Sequence, residues 1–433
     1  MRAFFTRSFV TPDRIRFVLA LLAMALAVGT ACAGFLWSLD AVTRVRFAAP
    51  WLLYGLPLCG LAVAWLYRRF GARAEGGNNL ILDEIHEPGG GVPLAMAPLV
   101  LIGTVATHLF GGSAGREGTA VQLGGSLAHG LVDRLGLTGK ARRLLLMGGV
   151  AAGFGAVFGT PLAGAVFAIE VLALGGLDLA ALLPCVVAAL AGDFACRLWG
   201  AHHTPYPHVG LPQTDLAGFA LLLAKALLIG LASGVVARLF AEVNHGLGDL
   251  YKRFVALPLW RPVIGGGVVI ALTFVFGTQD YLGLGVLSPH PGAPTLPGFF
   301  VAGPDRWSWL LKLVFTVATL SAGFKGGEVT PLFFIGAGLG SALSALLGLP
   351  VPLAAALGMV ALFGAAANTP VACAVMGLEL FGLDAAPALI VACVAAYLAS
   401  GHGGIYLSQR IARPKWPRRR GGASLRAVRR VWL

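Results

Sequence analysis

The sequence predicts an all-α, polytopic membrane protein made of two related halves, some of whose helices are discontinuous. Composition, the recurrence of apolar stretches and an internal repeat each point there. Of the 433 residues, 57% are hydrophobic and only 12% charged, and the mean hydropathy is +0.82. That balance excludes an ordinary water-soluble globule. A spanning helix needs about 20 mostly apolar residues, and stretches of that kind cover residues 15–37, 51–67, 215–240 and 307–322. Each is an expected span. Other apolar stretches, at 92–110, 143–174, 330–349 and 353–400, are shorter or interrupted by Gly and Pro. In a bilayer such breaks survive only where protein or a water-lined cavity satisfies the freed backbone groups, so they point to a transport pathway.

Taken from the N-terminus, the chain divides into a basic segment (1–14), a first membrane repeat (15–199), a polar connector (200–214), a second repeat (215–410) and a basic tail (411–433). Arg2, Arg7, Arg14 and Arg16 stand in front and a run of basic residues over 413–430 behind, giving a net charge of +13. Positive flanks favour the cytoplasmic side, so both termini are expected there. A nucleic-acid-binding patch fits less well, because the tail adjoins the last apolar segment and carries no partner motif. The first apolar stretch is too long for the hydrophobic part of a signal peptide and lacks a small-residue cleavage site. It reads as a retained helix. Six cysteines lie singly in or beside apolar segments and read as small core residues. His202, His203 and His208 sit in the Pro-rich connector, where a solvated loop is expected rather than a metal site. Neither cofactor nor metal is implied.

The two halves are visible as a repeat. Thr160, Pro161 and Glu170 recur as Thr369, Pro370 and Glu379, each displaced by 209 positions. Gly149, Ala152 and Gly155 meet Gly358, Ala361 and Gly364 at the same displacement, and Glu117 meets Glu328 at 211. Close helix packing alone explains recurring small residues but not matched Thr-Pro pairs and glutamates. Transporters of paired repeats place their site at the repeat interface.

Two glycine-rich turns lead into apolar helices and carry the chemistry. In GREGT (115–119) the turn precedes a helix expected to begin near Thr119; in GGEVTP (326–331) it precedes a helix with Pro331 at its first position. A helix start offers unpaired N–H groups and partial positive charge, so it can hold an anion without a full countercharge. The amides of Gly115, Arg116 and Gly118 are candidate donors, joined by the Thr330 hydroxyl. Glu117 lies in the turn itself, where its carboxylate can take the anion's place when charged and leave it when protonated. A carboxylate near a helix start also serves as a simple cap. Glu170 and Glu379 read as structural bonds at helix ends.

These residues resemble the CLC chloride channels and transporters over nearly the whole membrane domain. GREGT is similar to that family's GxEGP-type motif with Thr119 in place of Pro, and the resemblance gives Glu117 the role of external gating glutamate. It also implies two inverted halves of tilted, broken helices and a homodimer with one pathway per subunit. Where chloride-handling members carry a GSGIP-type turn, this chain has GGNNL (76–80), which puts Asn78 at the position of the anion-binding serine. Where they carry GxFxP, Val329 replaces the phenylalanine, with Glu328 and Thr330 on either side. These departures are similar to the fluoride/proton antiporter branch, and Tyr406 matches the tyrosine that closes the inner side of the site. Asn78 and Asn79 read without the resemblance as turn or cap residues.

The implied function is export of cytoplasmic fluoride in exchange for protons across an inner membrane, with Glu117 and Glu328 as gating and proton-transfer groups and Asn78, Thr330 and Tyr406 as anion donors. Fluoride is strongly hydrated, so strong donors must replace its water. The alternative is a chloride/proton exchanger or passive chloride channel of the same family, since fold does not fix function. An intramembrane enzyme is a third class, but no nucleophile–base pairing sustains it. The family's intracellular proton-transfer glutamate has no counterpart in 179–199, where Asp193 is the sole acid.

Overall fold

A computed structural model describes residues 12–301, 306–416 and 422–430. Arg2 and Arg7, and the tail at 417–421 and 431–433, lie outside the described residues. The first half starts with α1 (Pro12–Ala48), a helix of 37 residues, followed by α2 (Leu56–Phe70) and the short α3 (Gly77–His86). Then come α4 (Met96–Leu109), α5 (Glu117–Leu135), α6 (Gly139–Phe158), α7 (Pro161–Glu170) and α8 (Leu182–Leu198). The second half repeats the series. It runs α9 (Leu216–Phe254), α10 (Trp260–Phe276), α11 (Ser308–Leu320), α12 (Val329–Leu347), α13 (Val351–Ala367), α14 (Pro370–Phe381) and α15 (Ala386–Ala399). A one-turn helix, α16 (Leu425–Arg430), lies in the tail.

Six helical stretches among the described residues are long and apolar enough to cross a bilayer. Their lipid-ready surface is visible in Leu183, Leu216, Val275 and Leu346, all apolar and all exposed. Two expectations need correction, and one helix goes unread in the sequence. The stretch 307–322, expected to span, forms only the 13-residue α11, and its Lys312, Phe315 and Thr316 are buried in protein. An internal helix need not match the bilayer thickness. The stretch 330–349, expected to be short or broken, forms the single continuous α12 of 19 residues. Residues 260–276, not singled out as a membrane segment, form α10. The breaks at 159–161 and 368–370 are real: Gly159 and Asn368 adopt left-handed conformations that end α6 and α13, and Pro161 and Pro370 open the next helices.

The halves match in packing as well as in sequence. At the α5–α6 crossing, a Cβ on Gly124 would lie 2.0 Å from the Gly149 carbonyl oxygen. At the α12–α13 crossing, one on Gly358 would lie 2.1 Å from the Gly336 oxygen. Small residues let the backbones touch in both places.

Two contacts show that the halves are inverted. Glu170, at the end of α7, accepts from the Val371 and Ala372 amides at the start of α14 (3.0 and 2.7 Å). Glu379, near the end of α14, accepts from the Leu162 and Ala163 amides at the start of α7 (2.9 and 2.7 Å). Each helix end therefore caps the other's beginning, which requires α7 and α14 to run antiparallel. In the turns before α5 and α12, Gly115 and Gly327 exchange both hydrogen bonds (2.6 and 2.7 Å), the signature of an antiparallel pair. A pseudo-twofold relation between the halves follows from these two reciprocal contacts.

Candidate functional site

The starts of α3, α5 and α12 and the loop bearing Tyr406 converge where the two halves meet. Glu117, the first residue of α5, is 1% exposed. Its carboxylate lies at the start of α12: Thr330 donates its amide to Oε2 (3.0 Å) and its hydroxyl to Oε1 (2.5 Å). The Arg116 amide also donates to Oε2, at 3.1 Å. The Arg116 guanidinium stands beside it, with Nε 3.4 Å from Oε1. The carboxylate thus occupies hydrogen-bond donors of the kind a small anion requires.

Both helices begin earlier than the sequence suggests, at Glu117 rather than near Thr119, and at Val329, which puts Pro331 at the third helical position. Pro is tolerated there because its missing N–H belongs to the unpaired first turn. One expected donor needs correction: the Gly115 N–H is already given to the Gly327 carbonyl, so it has none to offer an anion in this arrangement. Gly118 serves by lacking a side chain. A Cβ there would lie 3.1 Å from Asn78 Nδ2 and 3.1 Å from Gly327 Cα, so glycine lets the Asn78 amide and the opposite turn approach α5. Glu328 stands at the N-cap position of α12 without a side-chain capping bond, and its Oε2 would lie 3.7 Å from the same Cβ.

Asn78 is the second residue of α3, aimed by a turn at Gly77 whose φ of +54° suits glycine alone. Its Oδ1 is buried without a hydrogen-bond partner. Asn78 and Tyr406 line one small pocket, and Tyr406 packs edge-on against Phe167 (centroids 6.4 Å apart). The structure therefore brings Glu117, Thr330, Arg116, Gly118, Asn78 and Glu328 into one cluster, with Tyr406 across the pocket from Asn78.

Several positioning residues escape a reading of sequence. Asn79 Oδ1 accepts from the Ser408 amide (2.9 Å), tying the α3 start to the Tyr406 loop. Thr119, at the motif's variant position, bonds through its hydroxyl to Thr104 of α4 (2.7 Å) rather than facing the anion path. Asn368 donates to Gly403 O and Gln409 Oε1, and Lys415 donates to Asn368 Oδ1 (2.7 Å), so part of the basic tail folds back under that loop. Asp193 is taken by Arg197 at 2.7 Å.

Paired inverted repeats whose helix starts converge on a buried carboxylate and its donors define an ion-translocating membrane protein. The profile of the voltage-gated chloride channel family matches residues 59–401. A "Chloride/fluoride channel protein" of Pseudomonas syringae pv. tomato is 46% identical over 398 residues, covering 90% of this chain and 86% of that one. Among solved structures, a CLC-type fluoride/proton antiporter superposes with a TM-score of 0.85 at 35% identity, covering 93% of this chain and 99% of that one. A slow cyanobacterial Cl−/H+ antiporter shares the fold, with a TM-score of 0.75 at 20% identity over 90% of this chain and 95% of that one. The chain is a multi-pass membrane protein of the voltage-gated chloride channel (CLC) family, whose members are channels and transporters rather than enzymes.

Proposed function

We propose that the protein exports cytoplasmic fluoride in exchange for protons, working as a homodimer in the inner membrane of a bacterial-type cell with both termini in the cytoplasm. The observation that carries this reading is the Glu117 carboxylate seated on the amide and hydroxyl of Thr330. An anion and a charged carboxylate cannot share those donors. Anion arrival therefore favours a Glu117 that is protonated or swung away, which links proton movement to anion movement. Glu328, at the same helix start, is the second group able to carry the proton. The names of the Pseudomonas relative and of the more similar antiporter structure support fluoride as cargo.

Fluoride's tight hydration demands strong replacement donors, which Asn78, Thr330 and Tyr406 supply as an amide and two hydroxyls. Hydrofluoric acid crosses membranes neutral and ionises in a near-neutral cytoplasm, so a proton gradient can be used to clear the trapped ion. Reconstitution in liposomes with a fluoride electrode and a chloride control tests the assignment. Fluoride efflux is expected to exceed chloride efflux by a wide margin; equal fluxes would favour a chloride exchanger or channel.

A further inference from the structure

Next to Glu117 lies a cavity of about 230 Å³ that shares no residue with the small pocket at Asn78 and Tyr406. Its wall combines the end of α1, Arg116, the connector at 202–205 and the loop that follows α10. Two arginines line it, Arg46 at 5% exposure and Arg116 at 8%. In each, Nε is buried and has no hydrogen-bond partner. A buried guanidinium with unused donors is costly unless an anion completes it. Arg46 has only the face of Phe47 beneath it, 4.7 Å from the ring centroid. That contact eases the charge but gives Nε no acceptor.

For Arg46 the surrounding charges do not supply the missing acceptor. Asp280, on the wall, is held by His290 at 2.9 Å, and Asp40 is an exposed residue of the rim. Behind the wall, the fully buried Lys312 offers no acceptor, its amine donating to the carbonyls of Tyr281 (3.1 Å) and Gly283 (2.7 Å). Thus the two buried charged groups facing the cavity are both arginines: Arg116 Nε has the Glu117 carboxylate 3.4 Å away, while Arg46 Nε has no acceptor.

We propose that Arg46 and Arg116 hold a second small inorganic anion in this antechamber, beside the position filled by the Glu117 carboxylate. Arg116 gives the site its function, because the same guanidinium stands 3.4 Å from Glu117 Oε1. An anion seated there competes with Glu117 for Arg116 and loosens the carboxylate's hold. With the N-terminus in the cytoplasm, the end of α1 puts this cavity on the outer face, so the site is filled from outside. The binding claim is independent of which ion is transported; only this gating role rests on the transport reading.

Bromide, a small anion visible by anomalous scattering, is the probe. Crystals of the full-length protein grown in bromide are expected to show a peak between the two guanidinium groups in the parent and in Arg46→Lys, and none in Arg46→Met. In liposomes, the external fluoride concentration giving half-maximal uptake is expected to rise roughly tenfold in Arg46→Met, as for loss of one charge-assisted hydrogen bond. No peak in the parent overturns the site, and that measurement does not depend on any variant folding. A peak that persists in Arg46→Met, or an unchanged half-maximal concentration, reduces it to an adventitious ion only. If the peak appears but fluoride is not transported, the antiport reading fails while the site stands.

Discussion

At the scale of single residues, the proposed transport turns on Glu117 and its partners. Glu117→Gln keeps the shape of the side chain but removes the exchangeable charge, so we predict that fluoride movement no longer drives proton movement, whether the path leaks or closes. A pH-sensitive dye inside the liposomes reads this directly. If the variant still moves protons under a fluoride gradient as the parent does, Glu117 is not the carrier. Thr330→Val preserves the backbone amide and the branched shape but deletes the hydroxyl that reaches Glu117 Oε1. Loss of a hydrogen bond to a charged partner is worth about 1.5–3 kcal/mol, so fluoride affinity is expected to fall by about tenfold or more. Asn78→Ser shortens the donor beside Gly118 and should narrow the preference for fluoride over chloride. Unmoved selectivity would make Asn78 only a turn residue.

At the scale of elements, two devices hold the helix starts in place. The first is backbone contact at glycine crossings. Gly124→Val would drive its Cβ to within 2.0 Å of the Gly149 carbonyl oxygen, whereas a Cβ on Gly267 of α10 would meet nothing within 4 Å. The former is expected to destabilise the protein by about 1–3 kcal/mol or more, while Gly267→Ala should leave thermal unfolding in detergent nearly unchanged. Equal melting behaviour in the two variants would refute the packing argument. The second device is the tail. Expected as a basic flank, it instead pairs its strand β2 (Arg410–Ile411) with β1 (Ala173–Leu174) and docks α16 by Arg429 onto Asp249 of α9 (2.9 Å). The Leu425 and Arg426 amides donate to Gln409 and Leu407 in the loop that carries Tyr406. A chain ended after Arg410 loses those bonds, so amide hydrogen exchange across 405–409 is expected to accelerate. Unaltered exchange would show that the tail is no clamp.

For the whole molecule, inversion explains why two similar helix starts can face one ion. In α5 and α12 the positive helix ends meet because the halves are related by the pseudo-twofold seen at Gly115 and Gly327 and at the reciprocal glutamate caps. Had the halves been parallel, these ends could not have met in this way. Orientation in the membrane is open to a direct test. The described cysteines are all buried, so His202→Cys and Arg253→Cys, both at exposed positions, can be labelled selectively with a membrane-impermeant thiol reagent. With cytoplasmic termini, His202→Cys should react from outside and Arg253→Cys only after the membrane is opened. The reverse pattern would invert the proposed topology and with it the outward face of the arginine-lined cavity.

Sequence by itself determined what local chemistry controls: the apolar stretches, the Gly-Thr-Pro break between α6 and α7, the duplication, and the glutamate within a glycine-rich turn. Those features depend on residues near one another in the chain or on motifs repeated along it, so they are legible without coordinates. The partners of each donor were not. Gly115 spends its amide on Gly327, Thr330 spends both of its donors on Glu117, and Asn79 reaches Ser408 across 329 positions. Only the fold buries Lys312 and Arg46 and sets Arg46 with Arg116 around one cavity. Likewise the length of a helix could be misjudged, as with α11, because a segment enclosed by protein is freed from matching the bilayer. A hydrogen bond or a buried charge is a relation between groups far apart in the chain, and tertiary structure alone decides which groups are brought within reach and which are left unpaired.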